Sequence, residues 1–317
     1  MSCLAVSIRV AAPVAVLFVT LGMTVPPAPG TGSSSQQRQA FLYAAACEGD
    51  AGASTRAGFP DASNTGVPPG TQLTDYTGPM TIETPGTVIE GKIITGQLNV
   101  AAPDVVIKNC VVKFDGWWGI QAENGKNITV KNCKFIGPGY GAESNAAILG
   151  AGTFIGNDIS KSENGIVLSG GSSVVKGNYI HDLEAAGEPH YDGISVQGGQ
   201  NGVLIEGNTI DSRQTSNIII KSDFGSINDV RVNNNLMIGD AGYAIYSYGG
   251  VNGYSTTGIK ITNNHIEKGH WNYYAVQNSD TTFSGNIEYP KNKAPRPREV
   301  TPDNPLPSAC GGADTQP

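Results

Sequence analysis

From residue 105 to residue 288 the chain repeats one short pattern. Apolar and polar positions alternate, a Gly or Asn follows, then a marker residue that is usually Asn, and two residues later another apolar side chain. Val203-x-Ile205-x-Gly207-Asn208-x-Ile210 is the template, and it recurs as Val230-x-Val232-x-Asn234-Asn235-x-Met237 and Ile259-x-Ile261-x-Asn263-Asn264-x-Ile266. Earlier copies end in Asn109-Cys110-x-Val112 and Asn132-Cys133-x-Phe135, and shorter ones are centred on Asn157, Asn178 and Asn286. Successive markers are 23, 24, 21, 30, 27, 29 and 22 residues apart. Period-2 alternation predicts strands, and a 20–30-residue repeat predicts stacked coils that bury a continuous core only together. The expectation is an all-β, single-stranded, right-handed parallel β-helix of about eight to ten coils with an Asn ladder. Asn tolerates bend dihedrals, and its amide can reach both the turn and the next coil, so the ladder is read as scaffold.

A second strand is expected once per coil, at Gly119-Ile120-Gln121-Ala122, Gly165-Ile166-Val167-Leu168, Gly193-Ile194-Ser195-Val196, Asn217-Ile218-Ile219-Ile220 and Ala244-Ile245-Tyr246-Ser247. With each Ile inside, alternation turns Gln121, Val167, Ser195, Ile219 and Tyr246 outward, followed by Glu123, Ser169, Gln197, Lys221 and Tyr248.

Composition agrees with a strand-rich chain. There are 42 Gly in 317 residues, only 15% of residues are charged, and no long window has the helical period. The net charge of −7 argues against nucleic acid, and an anionic substrate would need a local cationic patch. Arg9 followed by the apolar run Val10 to Val25 reads as an export signal. This divides the chain into a signal at 1–30, a linker at 31–46, the β-helix at 47–290 and a Pro-rich tail at 291–317. A secreted location follows, with no membrane contact after signal removal. Cys47 and Cys310 flank the repeats. Cys110 and Cys133 share one column on adjacent coils, where strands ~4.8 Å apart would permit a disulfide; small buried residues in place of Asn are the alternative.

Candidate chemistry gathers where the coils lengthen, between Asn178 and Asn264. The longest excursion runs from His181 to Gly193. Loops on a rigid scaffold are where sites form. His190, Tyr191 and Asp192 are candidates for acid–base roles, and Lys221 and Arg213 are the cations nearest them. Gln197, Asp223, Tyr246 and Tyr248 would contact substrate, the tyrosines as an aromatic wall. Glu163 and Asp182, with Asp192, would suit Ca²⁺ through oxygen ligands; the sequence requires no cofactor.

The Asn-marked coils, the His190-Tyr191-Asp192-Gly193-Ile194 string and the segment Asn64 to Thr71 resemble the pectate-lyase-like β-helix superfamily of secreted carbohydrate-active proteins. The resemblance covers roughly residues 60–288. It implies an extracellular polysaccharide as partner, and the fold hosts lyases, hydrolases, epimerases and binders. Polygalacturonase-type hydrolases use close Asp pairs, which this chain lacks. Mannuronan C5-epimerases carry Asp-Pro-His where this chain has Glu188-Pro189-His190. Several β-helix lyases use a Lys base with a nearby Arg, types that Lys221 and Arg213 match. The resemblance therefore implies first a lyase acting on a uronate-containing polysaccharide, with epimerase, hydrolase and non-catalytic glycan-binding protein as alternatives.

Overall fold

The computed structural model describes residues 58–289 except Asn124. The export signal, the linker, the Pro-rich tail, Cys47 and Cys310 lie outside the described residues. Three parallel sheets form the body. Sheet A has ten strands, from Thr74–Asp75 to Ile287–Glu288; sheet B has nine, from Thr81–Ile82 to Asn272–Gln277; sheet C has nine, from Val88–Glu90 to Ser279–Ser284. Each coil contributes one strand to A, then B, then C, and pairs in parallel with the coils on either side. Asp192–Val196, for example, lies between Asn164–Leu168 and Ser216–Lys221.

The marker turn joins sheet C to sheet A in two residues. The residue before the marker has φ between +52° and +64° in all eight turns from Asn109 to Gly285. A side chain there meets the following carbonyl unless it is Gly or the locally bonding Asn, which explains the restricted choice in the template. The marker side chain stays buried and bridges coils. Asn208 Oδ1 accepts from the Asn178 backbone N–H and Nδ2, while Asn208 Nδ2 donates to Val175 O and Asn235 Oδ1, all at 2.8–2.9 Å. The same bonds run from Asn157 to Asn286.

Cys110 and Cys133 extend this column as free, buried thiols, so the disulfide alternative is not formed. Each sulfur stands where the Asn amide would, with one S–H to donate: Cys133 Sγ lies within reach of Lys131 O and Ile107 O, and Cys110 Sγ of Lys108 O and Ile89 O. Cys110 Sγ also accepts from the Lys92 backbone N–H at 3.4 Å.

The core is a column of Ile, Val, Leu and Phe with one or two residues from most strands, among which Phe135 and Phe154 are fully buried. Fully burying each such side chain contributes roughly 1.5–3 kcal/mol. Outside, the entering segment lies along sheet A. Phe59 meets the His265 ring edge-on at 4.8 Å, and the Gly66 N–H donates to Gly156 O at 2.8 Å. This covering leaves sheet B as the face flanked by the long loops.

Candidate functional site on the outer face of sheet B

Strict alternation fails at the start of the sheet B strands. Ala147 and Ile148 both enter the core, as do Ala244 and Ile245. Ala146, Leu149 and Val167 pack with Trp118 in a separate outer cluster. Two consecutive inward positions explain the Gly or Ala before Ile120, Ile148, Ile166, Ile194 and Ile245: a Cβ on Gly193 would lie 2.2 Å from Ile210 Cγ2. That crowding is what Gly193 answers. Its consequence is that Asp192 and Ser195 share the outer face.

This face differs chemically from the other two. The nine strands of sheet B contain two charged residues, Asp192 and Lys221. Sheets A and C carry charged side chains along their length, such as Lys92, Lys134 and Asp211 in A, and Lys108, Lys176 and Arg231 in C.

Asp192 is half-buried. Its Oδ1 accepts from Ser216 Oγ at 2.5 Å, and its backbone N–H donates to Asn164 Oδ1 at 3.1 Å. Burial disfavours its charged form and pushes the carboxyl up to about 6, against the pull of Ser216, His190 and Lys221; the negative charge of Glu163 adds to the rise. Ser216 and Asn164 escaped the sequence reading. Their signal was present, since both stand two residues before the inward Ile, where Asp192 stands.

Lys221 reaches the outer face from the loop side leading to sheet C, in an ion pair with Asp223 at 3.0 Å. Tyr248 is its neighbour one coil on. Tyr243, Tyr246 and Tyr248 interlock edge-to-face with centroids 5.3 and 5.5 Å apart, and Trp271 extends the group. Burial raises the Tyr246 phenol well above its usual range, which makes it a wall and a poor base. Gln197, half-buried, follows the Asp192–Val196 strand, and its carbonyl accepts from the Phe224 N–H.

The 181–191 loop is fastened from three sides. Glu163 Oε1 accepts the His190 N–H and Oε2 the Ser144 N–H, tying two loops from different coils. Arg213 donates to Leu183 O at 3.0 Å and Tyr140 Oη at 3.3 Å, with its guanidinium 5.0 Å from the Tyr191 ring centroid. Tyr191 is buried in the core, and its hydroxyl accepts the Ala185 N–H. Arg213 and Tyr191 are therefore engaged in holding the loop together. His190 remains exposed at its end.

Asp182 does not join Glu163 and Asp192. It pairs with His181 on the sheet A side, and His181 reaches Asp158 through its other nitrogen. Burial pulls the His181 imidazole down, but the two carboxylates outweigh it and the net shift is upward. With both Glu163 oxygens occupied by amides, the three acids expected to suit Ca²⁺ do not converge. Among the described residues no cluster of three or more His, Cys, Asp or Glu is placed to hold a metal ion.

A family model described as a right handed beta helix region matches residues 143–287. Among solved structures, the chain is similar to an alginate lyase from Paenibacillus sp. str. FPU-7, at 14% identity over 73% of this chain and 82% of that one, with a TM-score of 0.39. No curated protein matches the sequence.

Proposed function

We propose that this right-handed parallel β-helix is a secreted lyase that cleaves a uronate-containing polysaccharide by β-elimination. The observation that carries the reading is that the strands of one outer sheet face hold a single carboxyl and a single ammonium group, Asp192 and Lys221, on adjacent strands.

β-Elimination needs three things: neutralisation of the uronate carboxylate, a base for the C5 proton and an acid for the departing O4 oxygen. Lys221, in its ion pair with Asp223, would face the carboxylate and stabilise the carbanion. His190, exposed at the end of the fastened loop, would take the C5 proton. The C5–H and C4–O4 bonds break, the C4–C5 double bond forms, and Asp192 would deliver its proton to O4. A carboxyl near pKa 6 holds that proton in mildly acidic solution.

Hydrolysis fits less well. Glycosidases that follow the two-carboxylate mechanism need both groups facing the bond. The second acid near Asp192 is Glu163, and both its oxygens already accept backbone amides.

The test is incubation of the full chain with polyuronates and glycosaminoglycans, reading ultraviolet absorbance of the unsaturated product and new reducing ends in parallel. Absorbance growing with chain ends is expected, with the rate falling as pH rises above about 6 as Asp192 loses its proton. Reducing ends without absorbance would mean hydrolysis. Altered uronate stereochemistry without new ends would mean epimerisation.

A further inference from the structure

We infer that the polymer seated on sheet B presents one anionic sugar to Lys221 and uncharged sugars on either side, so that the substrate is a mixed polysaccharide and not an unbroken run of uronates. This rests on the reading of the outer face as a polysaccharide site.

Coils rise by ~4.8 Å, about the length of one sugar unit, so a chain lying along the helix axis sets roughly one sugar against each coil. A homopolyuronate would then carry a carboxylate at nearly every coil, and as successive sugars rotate about the chain, more than one of these would face the sheet. Beyond Lys221, the nine strands of sheet B hold no cation to receive one. What a second carboxylate would meet is uncharged. Towards the first coils, Gln121 and Asn164 stand on the strands, with Leu149 on the strand between them and Val167 beside Asn164 on its own strand. Towards the last coils, the Tyr243–Tyr246–Tyr248 cluster is followed by Asn272 and Gln277. Desolvating an anion against such groups costs more than it returns, whereas amides and hydroxyls suit sugar hydroxyls and aromatic rings suit the C–H faces of a pyranose.

The bordering loops add to this. Glu123, Glu143 and Glu188 are exposed on loops beside the face, Glu123 bonding to the outward Gln121 and Glu143 lying against Gly187. On the neighbouring loops Arg213 is held by Leu183 O and Tyr140 and Lys161 by Glu184, whereas Lys126 and Lys268 are exposed on loops beside an early and the last strand of the sheet. Exposed aromatic side chains also collect here: Trp117, Tyr140 and Trp271 on loops entering sheet B, Phe224 and Tyr254 on loops leaving it. Repulsion along a homopolymer with stacking for neutral rings is how one site would reject one class and accept the other.

The experiment compares binding and cleavage of size-matched polymers by the full chain: polygalacturonate and alginate as homopolyuronates, hyaluronan and heparosan as alternating chains. Binding by affinity electrophoresis is read separately from product absorbance. The alternating chains are expected to bind at least about tenfold tighter. Gln121→Lys with Gln277→Lys, which adds cations on either side of the site, is expected to narrow that gap by raising affinity for polygalacturonate. Equal or tighter binding of the homopolyuronates by the native chain overturns the inference, as does failure to bind any of the four. Selective binding of alternating chains without absorbance would leave the inference standing and sink β-elimination.

Discussion

Asp192 holds its site at a cost in stability, and the sign of that cost is set by its raised carboxyl. Between its ordinary value of 3.8 and about 6 the folded chain keeps a proton that the unfolded chain has released. Folding is therefore penalised increasingly as pH rises through that window, and fully above it. Asp192→Asn keeps an oxygen for Ser216 and removes the buried charge. It is expected to raise stability by about 2 kcal/mol at pH 7 and by almost nothing at pH 4, while cutting cleavage by roughly a hundredfold or more. Thermal melts at the two pH values check the first part; equal gains at both would show that burial of the charge is not the cause. Arg213 teaches a different lesson at the same scale. From sequence it is a cation near Lys221, but its guanidinium fork is fixed on Leu183 O and Tyr140 over the Tyr191 ring. A lysine keeps the charge and loses the fork. Arg213→Lys is expected to cost about 1 kcal/mol and to speed hydrogen exchange at residues 183–190. Unchanged exchange there would mean that the loop is held without it.

The marker turn is the element most legible in the sequence, because its geometry repeats without variation. An obligatory left-handed residue restricts one position to Gly or Asn, and a buried bridging amide restricts the next. Where Cys fills that second position, the sequence left disulfide and thiol open, because only the side-chain direction decides between them. Two substitutions probe the two positions. Asn208→Ala strands the Asn178 N–H and the Val175 carbonyl in the core, so a loss of about 3 kcal/mol is expected in denaturant melts. Gly207 has φ +63° with nothing within 4 Å of a Cβ. Gly207→Asn should thus be nearly neutral, as Asn serves at the matching positions 234 and 263, whereas Gly207→Val should cost about 1–2 kcal/mol in the same melts. Equal losses for Asn and Val would show that space, and not backbone conformation, governs the turn.

Across the whole molecule, sequence showed the repeat, the lengthened coils and most outward positions, but not that one face is chemically unlike the others. That contrast exists only after register assigns each charge to a sheet, and a local break in alternation at Ala147 and Gly193 decides that Asp192 faces out. The loop fastenings were hidden for a related reason: Glu163 meets Ser144 and His190 across 19 and 27 residues of chain. The stacked architecture also shapes how damage spreads. Each coil touches chiefly its two neighbours, so stability approximates a sum of coils and their interfaces. Ile205 lies fully buried at mid-stack between Val175 and Val232, whereas Ile89 belongs to the first sheet C strand, with a neighbour on one side only. Ile205→Ala should cost about 3–4 kcal/mol and lower amide protection in coils on both sides. Ile89→Ala should cost less and confine the loss to the first coils, because fraying an end breaks a single interface. Hydrogen exchange read strand by strand distinguishes the two. An identical, molecule-wide loss for both variants would show that the helix opens as one unit and that the additive picture fails.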